Sequence, residues 1–372
     1  MITSTTIGPE KATFVERFVA LFRIPYIVGS MIIALVVGPP GAILSVFACT
    51  RNFNEAFTRT VILFLGSPLP FWQSFIGLSL LLLILYYFLF MIRYMRVKLV
   101  RAEDQLIELL PEGEDTFDNI FGLVSKTGPP IIFGLIFMVL FSLQVAPELP
   151  DNFKIFCTDN VTTIFLCLSF PIWFVIFSTF VWIYIGSIRG LCELGKKVNL
   201  KGFHEDKMLG VRPIGSLSLH FAYTFFTGLI ILALLPAILT PESSLLGYMM
   251  ILTVCTILGL ILFFLPLYTI HKKMVEAKQK AQDLLRGELS RVVKIADDAE
   301  VGDSESISEI KDALNRLTTV LTVEVTKDEV ENMPTWPMDT QILSRLVAMA
   351  VSIVAVIIAQ YIMRKVIFLI PS

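Results

Sequence analysis

Charge is what this chain has least of, and the residues that carry catalysis are scarcer still. Only 17% of its 372 residues are Asp, Glu, Lys or Arg, against about 25% in an ordinary soluble domain. A soluble globular fold is therefore excluded. The three histidines, His204, His220 and His271, occur in neither a zinc-protease His-Glu-x-x-His pattern nor next to a phosphate-cradling glycine loop. Five cysteines show no Cys-x-x-Cys spacing, so metal and redox chemistry have no foothold. His204-Glu205-Asp206 is read as a solvated loop rather than the alternative, a metal site. The expectation is a protein that is not an enzyme and that has no cofactor and no metal.

Other absences narrow the reading further. A net charge of -2 gives no reason for a nucleic-acid partner. Residues 1–23 lack an apolar core followed by a small-residue cleavage site, so the first span is expected to act as the retained insertion signal. The centres of the apolar runs contain no ionisable side chain, and the strongly polar Gln73, Gln144, His220 and Gln360 lie toward their ends. Proton-coupled carriers and voltage sensors need such charges in the membrane and are disfavoured.

What is abundant is apolar sequence, 55% of the chain. It falls into blocks of about 20 residues, the length a helix needs to cross roughly 30 Å of hydrocarbon. A helix also satisfies its own backbone in lipid. The fold class expected is all-α: a polytopic membrane protein with about seven transmembrane helices and a cytosolic antiparallel helical hairpin between helices 6 and 7. Four segments are expected: an interfacial helix over 1–23, spans 1 to 6 over 24–270, the hairpin over 271–339, and span 7 with a tail over 340–372.

In the interfacial helix Phe14, Phe18 and Leu21 share a face against Glu10, Lys11 and Arg17. Span 1 begins near Ile24 and is interrupted by Gly38-Pro39-Pro40-Gly41, where prolines remove helical donors. Two readings are open for these four residues: a bend tolerated by packing, or a half-helix whose backbone forms a binding site. The run Val61 to Leu65 is too short to cross and is expected to be interfacial or re-entrant. Spans 2 to 6 are placed at Phe71–Ile92, Pro130–Val145, Val161–Ile188, Leu217–Leu239 and Leu246–Ile270. Basic residues crowd the loops after spans 2, 4 and 6, whereas the opposite loops hold only Arg51, Arg59 and Lys154. By the positive-inside rule the N-terminus is cytosolic and, with seven spans, the C-terminus lies outside a cell membrane. That topology puts Cys49 and Cys157 near one outer face, a candidate disulfide.

Between spans 6 and 7, Met274, Ala277, Ala281, Leu285, Leu289 and Val292 mark one helical face, and Ile307, Ile310, Leu314, Leu317 and Leu321 mark another with coiled-coil spacing. Glu300 to Glu305 is the turn, and Ser306 with Glu309 is a capping box. Lys272, Lys273, Lys278, Lys280 and Arg286 lie at the hairpin's base, and acidic residues at its tip. The charged extension of span 2 shows the same order, so the two are expected to pack side by side. The chain re-enters the membrane through Met333-Pro334-Thr335-Trp336-Pro337. Span 7 then carries Ser344, Ala348, Ser352, Ala355 and Ala359 on one face, a seam of small residues for close helix approach. It serves either packing within the chain or a homo-oligomer formed through the last span and hairpin.

In topology, with seven spans, an inside N-terminus and a cytosolic helical element feeding the last span, the chain resembles the insect chemoreceptor channels. The leading expectation is a non-enzymatic sensor or channel-like oligomer. The alternatives are a small-molecule or lipid transporter using the broken first span, and a membrane scaffold docking a cytosolic protein.

Overall fold

The computed structural model describes residues 12–65, 71–111, 113–145, 160–200, 208–234, 245–299, 330–331, 333–337 and 340–369. Among them the fold is all-helical. The helices are α1 (Phe14–Ala20), α2 (Tyr26–Val37), α3 (Pro39–Thr50), α4 (Phe53–Leu65), α5 (Phe71–Ile107) and α6 (Glu114–Ser125). They continue as α7 (Gly128–Val145), α8 (Asn160–Lys197), α9 (Arg212–Leu234), α10 (Leu245–Ala299) and α11 (Thr340–Leu369).

Five of the described segments are long and apolar enough to cross a membrane, and the bent pair α2 and α3 makes six if it is one span. A shorter apolar stretch, Gln341–Val356 in α11, occupies the place expected for span 7. Large side chains such as Ile132, Phe133, Leu168, Ile251 and Val254 are exposed, which only a hydrocarbon surrounding makes inexpensive. The chain is a multi-pass membrane protein by these measures.

Two apolar cores organise the bundle. The larger joins α1, α2, α5, α6, α8, the near part of α9 and Ile270 and Met274 of α10, with Leu85, Leu89, Ile92, Leu191 and Leu194 fully buried. The smaller joins α9, α10 and α11 through Phe226, Leu229, Phe263, Leu346 and Ile353. In α4 the helix starts at Phe53, earlier than the apolar run suggests, and its Ala56 packs on Val46 of α3 as a short cap across one end of the bundle.

The basic connections gather at the other end. The Asn199 amide donates to the Leu109 carbonyl at 2.8 Å, tying the segment after α8 to the end of α5. Lys273 of α10 donates to the Val198 carbonyl at 2.9 Å. The base of α10 thus rests on α8, where a Cβ on Gly195 would lie 3.0 Å from Ile270. The expected side-by-side packing of α10 with the extension of α5 is replaced by packing of α10 on α8 and α9. Like order of charge along two helices aligns repulsive groups, so it gives no reason for them to pair.

Three expectations lie outside the described residues: the hairpin's tip and second helix, the His204-Glu205-Asp206 loop, and the Cys49–Cys157 pairing, since the Cys49 side chain and Cys157 are not described.

Candidate functional site: the broken span, the last span and the latch between them

The break in the first span is a packed corner. Gly38 ends α2 and begins α3, which bend by 46°. Pro39 and Pro40 open α3, where missing donors cost nothing because a helix start has no partners for them. Carbonyls late in α2 are left without helical donors, and the Trp173 indole of α8 donates to that of Val37 at 3.1 Å. A Cβ on Gly41 would lie 1.8 Å from the Val36 carbonyl oxygen, so only glycine allows the close approach. Gly38 and Pro39 are buried and Pro40 and Gly41 half-buried. The geometry favours the packed bend over an open backbone site. Replacing Trp173 by phenylalanine keeps the ring packing and removes the donor; we expect a loss of about 1–2 kcal/mol in stability, read as a lower unfolding temperature in detergent.

The small-residue seam is where the structure differs most from intramolecular packing. Among the described side chains of α11 the buried ones are Leu346, Met349 and Ile353, in one cluster with Leu219, Phe226, Leu229 and Phe263. Ser344, Ala348, Ser352, Ala355 and Ala359 are all exposed. Ser344 and Ser352 turn their hydroxyls onto their own helix, donating to the Gln341 and Ala348 carbonyls at 3.0 and 2.8 Å. The seam is therefore satisfied within α11 and uncovered in a single chain.

α10 and α11 are joined by a latch that composition alone does not reveal. α10 runs as one helix through Pro266 to Ala299, about 80 Å at 1.5 Å per residue. Just past the apolar part, His271 stacks on Trp336 with ring centroids 4.1 Å apart and planes 17° from parallel. Its Nδ1 lies 2.6 Å from the Thr335 carbonyl oxygen. A carbonyl only accepts, so Nδ1 carries the proton. About two turns further, Lys278 donates to the carbonyls of Glu331 and Met333 at 2.7 and 3.1 Å. Pro337 completes the seat, since a Cβ on Gly215 of α9 would meet its carbonyl oxygen at 2.2 Å. The Met333 to Pro337 re-entry is held to the base of α10 immediately before α11 begins.

A buried ion pair anchors the opposite flank of the same end. Thr13 caps α1 and Glu16 reciprocates: the Glu16 amide donates to Thr13 Oγ1 at 3.3 Å, and the Thr13 amide donates to Glu16 Oε2 at 3.0 Å. The Glu16 carboxylate lies 3.9 Å from Arg96 Nε, with the side chains 6% and 3% exposed. Arg96 also donates from Nη1 to Ser125 Oγ at 3.1 Å. Phe14 and Phe18 on the other face of α1, with Phe22 just beyond its end, form an exposed aromatic ladder. Arg96 is one of the basic residues that follow the apolar run of α5; the Thr13-x-x-Glu16 capping box is the sequence signal that Glu16 is committed.

Among the described residues, no three His, Cys, Asp or Glu side chains converge as metal ligands would. No family of known proteins, no curated protein and no solved structure matches the chain.

Proposed function

We propose that the chain is a non-enzymatic membrane protein of the sensor or channel class, assembled as a homo-oligomer through its last span. The observation that carries this reading is the pair formed by the latch and the seam. A rigid helix leaves the membrane, its base is clamped to the re-entry segment by His271 and Lys278, and the next helix presents its small residues outward. Displacing α10 then displaces α11, and α11 is the surface through which copies meet. The topology that fits is seven spans, with the broken pair as span 1, the basic end and N-terminus cytosolic, and a cytosolic hairpin over 271–339. The likeness to insect chemoreceptor channels rests on span order alone.

The exposed far part of α10, where Leu284 is 72% accessible, favours a second reading, a scaffold whose hairpin docks a cytosolic protein. The packed corner at Gly38 to Gly41 gives no matching support to a transporter. Purified full-length protein in nanodiscs and planar bilayers separates these. The expected result is a defined oligomer with unitary conductance events. A monomer that conducts nothing would sink the first reading; a silent oligomer that retains a partner only while residues 280–325 are present would favour the scaffold.

A further inference from the structure

Where α5 leaves the apolar region it carries Arg93, Tyr94, Arg96, Lys98 and Arg101. Tyr94 and Lys98 are four residues apart, so they share a face. That face meets His220 of α9, the one histidine placed within an apolar run. The Tyr94 hydroxyl lies 3.0 Å from His220 Nδ1, and Lys98 Nζ lies 3.2 Å from His220 Nε2. The tyrosine ring stands edge-on to the imidazole, with centroids 6.0 Å apart, and Lys98 Nζ sits 5.6 Å from the centre of the same ring. Tyr94, Lys98 and His220 are each half-buried. Arg345, in the second turn of α11, is exposed, and its neighbours Ile342 and Leu346 pack in one cluster with Leu219 beside His220, which puts its charge near the imidazole; Arg101 lies one turn beyond Lys98.

The hydrogen-bonding roles in this cluster are forced. An ammonium has only protons to offer, so Nε2 must be the acceptor for Lys98. The imidazole proton then resides on Nδ1 and is donated to the Tyr94 oxygen. Tyr94 keeps its own hydroxyl proton uncommitted, and Lys98 keeps two N–H groups. Arg345 adds a guanidinium. Among the described residues no carboxylate pairs with Lys98 or Arg345, and the first turn of α11 holds no acidic residue. The cluster offers donors and positive charge, and what is missing is an acceptor with several oxygens.

We propose that Tyr94, Lys98, His220 and Arg345 form a binding site for an accessible phosphate group where α5, α9 and α11 meet at the basic end of the bundle. The phosphate oxygens accept from Tyr94 and Lys98, and Arg345 closes the site from the last span. A tetrahedral oxyanion supplies the acceptors that the cluster lacks, and such charge-assisted bonds are the strong ones. The depth fits a lipid headgroup: Tyr94 and Lys98 follow the apolar run of α5, and His220 opens that of α9. A free phosphate shares the same chemistry. Binding would tie the last span to the core without any step of catalysis.

The test uses full-length protein in phosphatidylcholine nanodiscs, with phosphatidic acid added as the probe and retained lipid counted by native mass spectrometry. Wild-type protein is expected to hold phosphatidic acid in preference to phosphatidylcholine. The Lys98→Gln, Arg345→Gln double variant should reduce that preference by about a hundredfold, roughly tenfold per charged donor. Tyr94→Phe, which preserves the ring and its packing, should reduce it by about fivefold. Lys280→Gln, on the exposed face of α10, should leave it unchanged. Preference surviving in the double variant, or lost equally with Lys280→Gln, overturns the site and leaves only general attraction to a basic surface. Millimolar inorganic phosphate that displaces the lipid from wild type but not from the double variant supports the site and assigns it a soluble phosphate; failure to displace, with the variant effects intact, assigns it to the lipid.

Discussion

Replacing Ala348 and Ser352 together by leucine should dissociate the homo-oligomer while leaving the folded protomer intact. Both positions are exposed in a single chain, and Ser352 hydrogen-bonds only within its own helix. Nothing in the protomer's core has to move to accommodate the larger side chains. Substitutions at such uncovered positions usually change stability by less than about 0.5 kcal/mol. In a close helix pair the same leucines force the backbones apart. Overpacking costs about 1–3 kcal/mol per site, so two sites weaken association by roughly a thousandfold. The measurement is oligomeric state by multi-angle light scattering across a detergent dilution series, with thermal unfolding run alongside. An unchanged oligomer would show that copies meet elsewhere. A fall in unfolding temperature equal to that of a core variant would show that the seam packs inside the chain.

The second large effect concerns Glu16 and Arg96. Glu16→Gln keeps the capping box, because glutamine also reaches back to the N-cap amide. It removes the carboxylate nearest to a guanidinium that is 3% exposed, whose Nε and Nη2 already lack hydrogen bonds, and leaves the weaker influence of Glu103. Breaking a buried pair by removing one partner costs about 3–5 kcal/mol, whereas replacing both charges is often neutral or stabilising. We therefore expect Glu16→Gln to lower the unfolding temperature strongly and Arg96→Met combined with it to recover most of the loss. The reading is a double-variant cycle in detergent. Additive losses would mean that Glu16 and Arg96 act independently and that α1 is held by its apolar face alone.

That ion pair and two valines fix which way the N-terminal helix faces. Val15, Glu16 and Val19 face the protein, and Phe14, Phe18 and Phe22 face outward. The aromatic ladder on one face of α1 is legible as an interfacial helix, because its spacing is written in adjacent turns. Glu16's partner is eighty residues away on α5. No local pattern marks which of the four basic residues in that stretch, Arg93, Arg96, Lys98 and Arg101, will be buried.

Sequence alone determined the membrane class, the helical fold and the break at Gly38 to Gly41. Each follows from local rules: the hydrocarbon thickness sets run length, lipid demands an internally bonded backbone, and proline removes a donor. Tertiary structure alone decided which face of α11 is covered, that Trp173 satisfies the broken span, that His271 and Lys278 hold the re-entry, and that α10 rests on α8. The reason is physical. In water, burial of apolar surface tells each helix face where to go. In lipid every face is tolerated, so small and large faces are equally free to point outward, and only the contacts between helices choose. The seam in α11 shows the difference most clearly. Its spacing can be read from five residues, but its direction is fixed by Leu346, Met349 and Ile353 packing on α9 and α10.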